Sequence, residues 1–371
     1  MSRPKKLLFI SHDSSRTGAP MLLLNFIKWI ANNQKGVKIT ILLVKNGDLK
    51  QEFQKYGKTY VLADYGYVSN PLLKLKNKFV RDYILFSKKW DLIFSNTIVN
   101  GKVLDKFQNL DIPIVTYVHE LKDTIEKYSK RGMVSGSLEN SDYFFCGSQL
   151  VRDVLTSHFD IPHLKSSVVH SFIDFKEYSF EKDKNISKNL KKDLNINTST
   201  LVVGMMGRFD KRKGNDLFIK VAEKLENVHF VWVGADKKRL DNFLVSNKIS
   251  SSNISLIAPS PEYLEYYNII DILFLSSRED PYPMIMVEAS AYGMPIICFK
   301  DTGGTQEFID DKTGVVVDFN DIDSVIKAIE SYDKKRELIT GNIDYIKNKS
   351  FGTHDVSINA EIIFNKIKEL Y

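Results

Sequence analysis

Short, continuous apolar runs alternate with helical stretches, twice over, and nothing else in this chain constrains its fold as much. In the first half the runs are KKLLFIS, VKITILLV, TYVLAD, DLIFSN, IPIVTYVH and DYFFCGS. In the second they are LVVGMMGRF, VHFVWVG, ISLIAP, DILFLSS, PIICF and GVVVDF. A strand with one wet face alternates apolar and polar residues, whereas most of these are short continuous apolar runs. Such runs are buried on both faces, as in a parallel sheet covered by helices on either side. The covering helices are PMLLLNFIKWIAN, PLLKLKNKFVRDYILFSKK and SQLVRDVLTSHF, then LFIKVAEKL and LDNFLVSN. At 371 residues the chain is too long for one such core. A polar stretch, KEYSFEKDKNISKNLKKDLNINTST, breaks the alternation. The expectation is an α/β domain over residues 1–175, a linker over 176–200, a second α/β domain over 201–354 and a closing helix within 355–371.

Composition narrows the setting. With 43% hydrophobic and 26% charged residues, the chain is an ordinary globular one. It has no apolar run of the length that spans a bilayer, and MSRPKKLLFISHD leads straight into a strand. No signal peptide or transmembrane helix is expected, which points to the cytosol. Cys146 and Cys298 stand far apart in strand-like surroundings, as buried thiols in a reducing compartment do, and they exclude a cysteine-based zinc cluster. The net charge of +6 is scattered, without the aromatic-interleaved basic stripe of a nucleic-acid binder. It suits phosphate-bearing substrates or the inner, anionic face of a membrane. One stretch, Leu72 to Lys89, sets Leu72, Leu75, Phe79, Tyr83 and Phe86 beside Lys74, Lys76, Lys78, Arg81, Lys88 and Lys89. That pattern fits both peripheral membrane contact and an ordinary sheet-covering helix.

The chemistry concentrates in a few loops. SSREDPYPMIMVEASAYGMPII places Asp280 and Glu288 eight positions apart. Pro281 and Pro283 belong in a loop or a first helical turn, so a helix starts near Pro283 with Glu288 one to two turns inside it. Its first N–H groups are a natural seat for a phosphate. GRFDKRKG follows another strand and presents Arg208 and Lys213, two cations at a strand's carboxyl end that suit an anionic ligand. SHDSSRTGAPMLLL opens the first helix with Gly18 and Pro20, and contains no dinucleotide or P-loop fingerprint. His12 lies in that loop, and His119 and Glu120 end IPIVTYVHEL. TGGTQEFI carries Thr305 and Glu307 in a tight turn.

Together these segments resemble the retaining, GT-B-fold glycosyltransferases of family 4 (glycosyl transferases group 1). The resemblance is strongest from about Leu201 to Asp318 and rests on the paired acids, Gly-Arg-Phe with Lys-Gly, and the Gly-Gly-x-x-Glu segment. Asp280 stands where the family has Glu, and Pro283 where Gly is common. The resemblance implies two Rossmann-like domains with parallel sheets facing a central cleft, the closing helix packing back on the first domain. It implies a hexosyltransferase-like, metal-independent enzyme with no cofactor, moving a sugar from a nucleotide-sugar donor to a hydroxyl acceptor. That acceptor would be a saccharide or lipid-linked saccharide in cell-surface polysaccharide or glycan assembly. Donor contacts would come from Gly18, Arg208, Lys213, Asp280, Met284, Ile285, Glu288 and Thr305. Asp280 would meet sugar hydroxyls, Glu288 the ribose, and Arg208 and Lys213 the diphosphate. His119 would orient the transferred sugar, with Glu120 beside it on the acceptor side. The same fold hosts nucleotide-sugar 2-epimerases, and Asp280 in place of Glu also suits a non-catalytic donor-binding paralogue.

Overall fold

The computed structural model describes residues 3–62, 70–87, 90–177, 179–246 and 252–371. The chain forms two compact units, Met1–Asp174 with His354–Tyr371, and Phe175–Thr353.

Among the described residues, unit 1 is built on seven parallel strands. These are β1 (Lys5–Ser11), β2 (Val37–Leu43), β3 (Lys58–Val61), β4 (Leu92–Ser95), β5 (Ile114–Val118), β6 (Tyr143–Cys146) and β7 (Ser166–Val168). Their order is β3-β2-β1-β4-β5-β6-β7. Leu7 pairs with Ile39 on one side and Leu92 on the other. Leu7 to Ile10 are fully buried, as the unbroken apolar run requires. Strand β3 ends before the expected Ala63 and Asp64, which lie outside the described residues. Strand β7 is a three-residue edge with polar Ser166 and Ser167, too short and too polar to leave an apolar signature. The order reverses between β1 and β4. Chain leaving these two strands diverges and opens a crevice at their carboxyl ends.

The closing helix, Val356–Glu369, belongs to unit 1. It is tied there by Ile173 N–H to the His354 carbonyl (3.0 Å) and Val356 N–H to the Ile173 carbonyl (2.9 Å). Asp355 caps it, and Phe364 packs edge-on against Trp29 at 6.0 Å. The helix Pro71–Ser87 has an inverted character. It buries Asn77 and Ile84 while Leu72, Leu75 and Phe79 are 76%, 50% and 66% exposed. The expected Lys88 and Lys89 and the Phe86 side chain lie outside the described residues.

Unit 2 carries, among the described residues, six parallel strands: β8 (Val202–Met206), β9 (His229–Val233), β10 (Ile254–Ile257), β11 (Ile272–Leu275), β12 (Ile296–Phe299) and β13 (Gly314–Val317). The order is β10-β9-β8-β11-β12-β13, reversing between β8 and β11.

The expected linker over 176–200 is corrected by the structure: it folds as part of unit 2. Residues Lys184–Asp193 form a helix whose N-cap, Asp183, accepts from the N–H groups of Asn185 (2.7 Å) and Ile186 (3.1 Å). Asp183 N–H donates to Asn268 Oδ1 (2.7 Å), and Lys182 Nζ donates to the Ile270 carbonyl (2.5 Å). No residue of this helix is buried, so its composition reads as polar although its backbone is ordered. Polarity marked a solvated helix, not a tether.

Candidate functional site

Both reversal points gather the residues singled out above, each within its own unit. In unit 2, β8 leads into the loop Gly207–Gly214 and β11 into the loop Ser276–Pro283. Trp232 Nε1 donates to the Gly207 carbonyl (2.9 Å), anchoring the first loop to β9. The loops are then stitched to each other. Arg212 Nη1 donates to the Glu279 carbonyl (2.6 Å), Arg278 N–H to the Arg212 carbonyl (2.8 Å), and Ser276 Oγ to the Lys213 carbonyl (3.0 Å). Arg278 also grips Asp216 with two bonds, at 2.7 and 2.8 Å. Gly214, at φ +74°, comes so close to the Ser276 carbonyl that a Cβ there would lie 1.8 Å from its oxygen. Only glycine fits.

This stitching sets Lys213 Nζ directly against Asp280 Oδ2, with both side chains 13% exposed. Ser277 Oγ donates to the same carboxylate oxygen at 3.1 Å. The short acid is brought into reach by a third loop. Asp280 N–H donates to the Thr302 carbonyl (2.8 Å), and Gly304 N–H to the Pro281 carbonyl (2.7 Å). A Cβ on Gly303 would sit 1.7 Å from the Asp280 carbonyl oxygen. Thr305 is buried in the turn Gly304–Glu307, and Glu307 is exposed. Arg208 is not brought into this pair: it is 58% exposed, with Asp210 at 4.0 Å.

Pro283 caps the helix Met284–Ala291. Met284 and Ile285 begin it, so their N–H groups have no preceding helical carbonyl to bond. Glu288 lies on its buried side, 7% exposed. Tyr263 Oη donates to one carboxylate oxygen (2.7 Å) and Tyr267 Oη to the other (2.8 Å). Burial pushes this carboxyl up to about 7, against the pull of the two hydroxyls. The residue expected to hold the ribose is thus a carboxylate already held by two tyrosines.

At the reversal in unit 1, His119 follows β5 and Asn96 follows β4. His119 Nε2 lies 3.2 Å from Asn96 Oδ1, and the ring packs on Tyr117 with centroids 4.2 Å apart. Burial, and then the neighbouring His12 ring, pushes the imidazole down to about 3. Glu120 was expected beside that ring. Instead its carboxylate accepts from Thr97 Oγ1, from Ile98 N–H (3.5 Å) and from His119 N–H (2.9 Å). It fastens the backbone of two loop ends. His12 Nε2 sits 3.3 Å from Asp13 Oδ2. Burial opposes ionisation of Asp13, but His12 and Ser15 outweigh it and hold the carboxyl down at about 2. Gly18, exposed, begins the helix Gly18–Asn33.

Sequence reasoning missed Asn96, Ser277, Tyr263 and Tyr267. Asn96 and Ser277 each follow directly on a strand-like run, the one signal available for them. Among the described residues, no group of three or more His, Cys, Asp or Glu is gathered to hold a metal ion.

The family model for glycosyl transferases group 1 matches residues 186–348. A D-inositol 3-phosphate glycosyltransferase of Corynebacterium efficiens is 25% identical, across 73% of this chain and 70% of that protein. An alpha-galactosylglucosyldiacylglycerol synthase of Streptococcus pneumoniae is 28% identical across 37% of this chain and 38% of its own length. The crystal structure of Anabaena HepE in complex with UDP-glucose superposes with a TM-score of 0.82 at 15% identity, covering 98% of this chain and 99% of that one. The fold is GT-B, with two Rossmann-like units.

Proposed function

We propose that the protein is a retaining glycosyltransferase that uses a nucleotide-sugar donor and needs no metal, a reading supported by the match of residues 186–348 to the glycosyl transferases group 1 model. The observation that carries this reading is the Lys213–Asp280 pair at the β8/β11 reversal, beside the first N–H groups of the helix Met284–Ala291. A donor diphosphate entering there takes Lys213 as its cation and the Met284 and Ile285 N–H groups as donors. Asp280, released from Lys213, accepts from sugar hydroxyls. Arg208 has the freedom to swing onto the phosphates. In the transfer step the bond from the anomeric carbon to the phosphate oxygen breaks. The acceptor oxygen bonds the same face of that carbon, and its proton passes to the departing phosphate. Lys213 and Arg208 offset the charge that develops there.

Transfer assays across nucleotide sugars, with and without a saccharide acceptor and after exhaustive chelation, test this. Product should require the acceptor, keep the donor's anomeric configuration and persist without divalent cations. Sugar release or epimerisation without acceptor would favour the 2-epimerase reading, and binding without turnover the non-catalytic one.

The acceptor belongs to cell-surface polysaccharide or glycan assembly and is either free or lipid-linked. The relative from Streptococcus pneumoniae named above supports a lipid-linked one. Among the described residues no helix is long and apolar enough to cross a membrane. Contact with the inner membrane face instead uses the helix Pro71–Ser87, where exposed Leu72, Leu75 and Phe79 are flanked by exposed Lys74, Lys76 and Lys78. The protein should sediment with phosphatidylglycerol vesicles and not with phosphatidylcholine ones. Replacing Leu72, Leu75 and Phe79 by Gln should release it. Failure to bind either vesicle type removes the membrane from the account.

A further inference from the structure

Asn96 is fully buried where the chain leaves β4, and both ends of its amide are used. Its Nδ2 donates to the Ala19 carbonyl at 2.7 Å, in the first turn of the helix Gly18–Asn33. A carbonyl oxygen only accepts, so this bond fixes which end of the amide is which. Oδ1 is then the atom 3.2 Å from His119 Nε2, and Oδ1 cannot donate. His119 must carry its proton on Nε2. A neutral imidazole with that proton has a bare lone pair on Nδ1.

We infer that Asn96 is a positioning residue: it fixes the His119 tautomer so that Nδ1 is presented as an acceptor for a hydroxyl of a polyhydroxylated ligand. The inference rests on the reading of His119 as a sugar-contacting residue. The ring plane is fixed as well. His119 packs on Tyr117, whose hydroxyl donates to the carbonyls of Val169 (2.6 Å) and His170 (3.2 Å). Among the described residues Nδ1 has no hydrogen-bond partner.

Burial, and then the neighbouring His12 ring, keep the imidazole neutral. His12, on the loop after β1, adds positive character and disfavours a second proton. Asp13 is engaged with His12 and Ser15. Glu120 spends its carboxylate on Thr97 and on backbone N–H groups, and Tyr117 faces the ring as a neutral phenol. A neutral acceptor suits a sugar hydroxyl, whereas an imidazolium at the same place would repel one aimed through its proton.

Nitrogen-15 NMR of the imidazoles in the full-length protein tests this without relying on turnover. Wild type should show His119 neutral and protonated on Nε2 at pH 7, and should stay so well below its ordinary pKa. Asn96→Ala, with thermal melting confirming the fold, should lose that preference and populate both tautomers. Asn96→Asp restores an acceptor and adds a charge, so it should keep the Nε2 proton and raise the protonation pH by about two units. In the transfer assay Asn96→Ala should lower kcat by more than about tenfold with little change in donor KM. Asn96→Asp should be active only above its new ionisation. An Nδ1 proton or an imidazolium in wild type at pH 7 overturns the inference, as does an Asn96→Ala protein that keeps the Nε2 tautomer. If the spectra behave as expected while both variants turn over normally, Asn96's control of the tautomer is supported and His119's part in the reaction is overturned.

Discussion

The two sheet reversals share one topology and carry opposite electrostatics. In unit 2 the crevice holds an ammonium against a carboxylate, both largely withdrawn from water. In unit 1 the equivalent crevice holds an imidazole kept neutral by burial and by His12, with an amide fixing its proton. Parallel strand order decides where loops diverge and so where a ligand can sit. The side chains on those loops decide what kind of ligand it is. A diphosphate needs cations, whereas a sugar hydroxyl can be accepted by a carboxylate freed from its ammonium or by an uncharged ring nitrogen. One scaffold, used twice, thus gives one crevice an ion pair and the other an uncharged ring.

The largest effect should come from breaking the charged crevice. Lys213→Ala should cost about 2–4 kcal/mol of transition-state stabilisation, read from kcat/KM. Asp280→Asn should lower kcat by more than about tenfold while nucleotide affinity holds, since its ligand is the sugar. Because Lys213 and Asp280 touch, the double variant should lose much less than the two single losses added together. Additive losses would mean that the pair does not act as a unit.

Stability against pH separates the crevices by sign. Glu288 in unit 2 has a folded pKa near 7, above its ordinary 4.5, so the folded state binds the proton more tightly. Its contribution is complete below pH 4.5 and is lost as pH rises through 7, amounting to about 3 kcal/mol. Glu288→Gln does not titrate there. Urea melts should show its stability rising relative to wild type by roughly that amount between pH 4.5 and 8.5. His119 works the other way: with a folded pKa near 3, below its ordinary 6.5, its contribution is present above pH 6.5 and lost as pH falls toward 3. A pH-independent difference between Glu288→Gln and wild type would show that the two tyrosines hold an ordinary carboxylate.

Arg208 should matter least. Exposed to solvent, with Asp210 at the limit of an ion pair, it starts with little to lose. Arg208→Ala should leave stability within about 1 kcal/mol of wild type and reduce kcat/KM less than Lys213→Ala does. A larger loss than Lys213→Ala causes would place the main phosphate cation at Arg208.

How much of this was legible in the sequence follows from how local each feature is. The strand runs were readable because burial on both faces leaves unbroken apolar residues, as in Leu7 to Ile10. The helix start at Pro283 was readable because proline is confined to a loop or a first helical turn. The tyrosine grip on Glu288 was not. Tyr263 and Tyr267 lie 25 and 21 positions from it and meet it only once β11 and the following helix are packed. Asn96 is 77 positions from Ala19 and 23 from His119. The Lys184–Asp193 helix was misread because composition reports solvation and says nothing about order. The bonds of Glu120 to Thr97 and Ile98, more than 20 positions away, were likewise not readable from its own segment.

The division of labour between the crevices is tested most directly by calorimetric titration of nucleoside diphosphates, without a sugar, into wild type, Lys213→Ala and His119→Ala. The account predicts that wild type binds at least one nucleoside diphosphate without added metal. Lys213→Ala should weaken that binding by about tenfold or more, as expected for loss of a charge-assisted contact. His119→Ala should leave it nearly unchanged. Wild-type affinity in Lys213→Ala together with lost affinity in His119→Ala would contradict the account, because the charged crevice of unit 2 would then not be where the diphosphate sits.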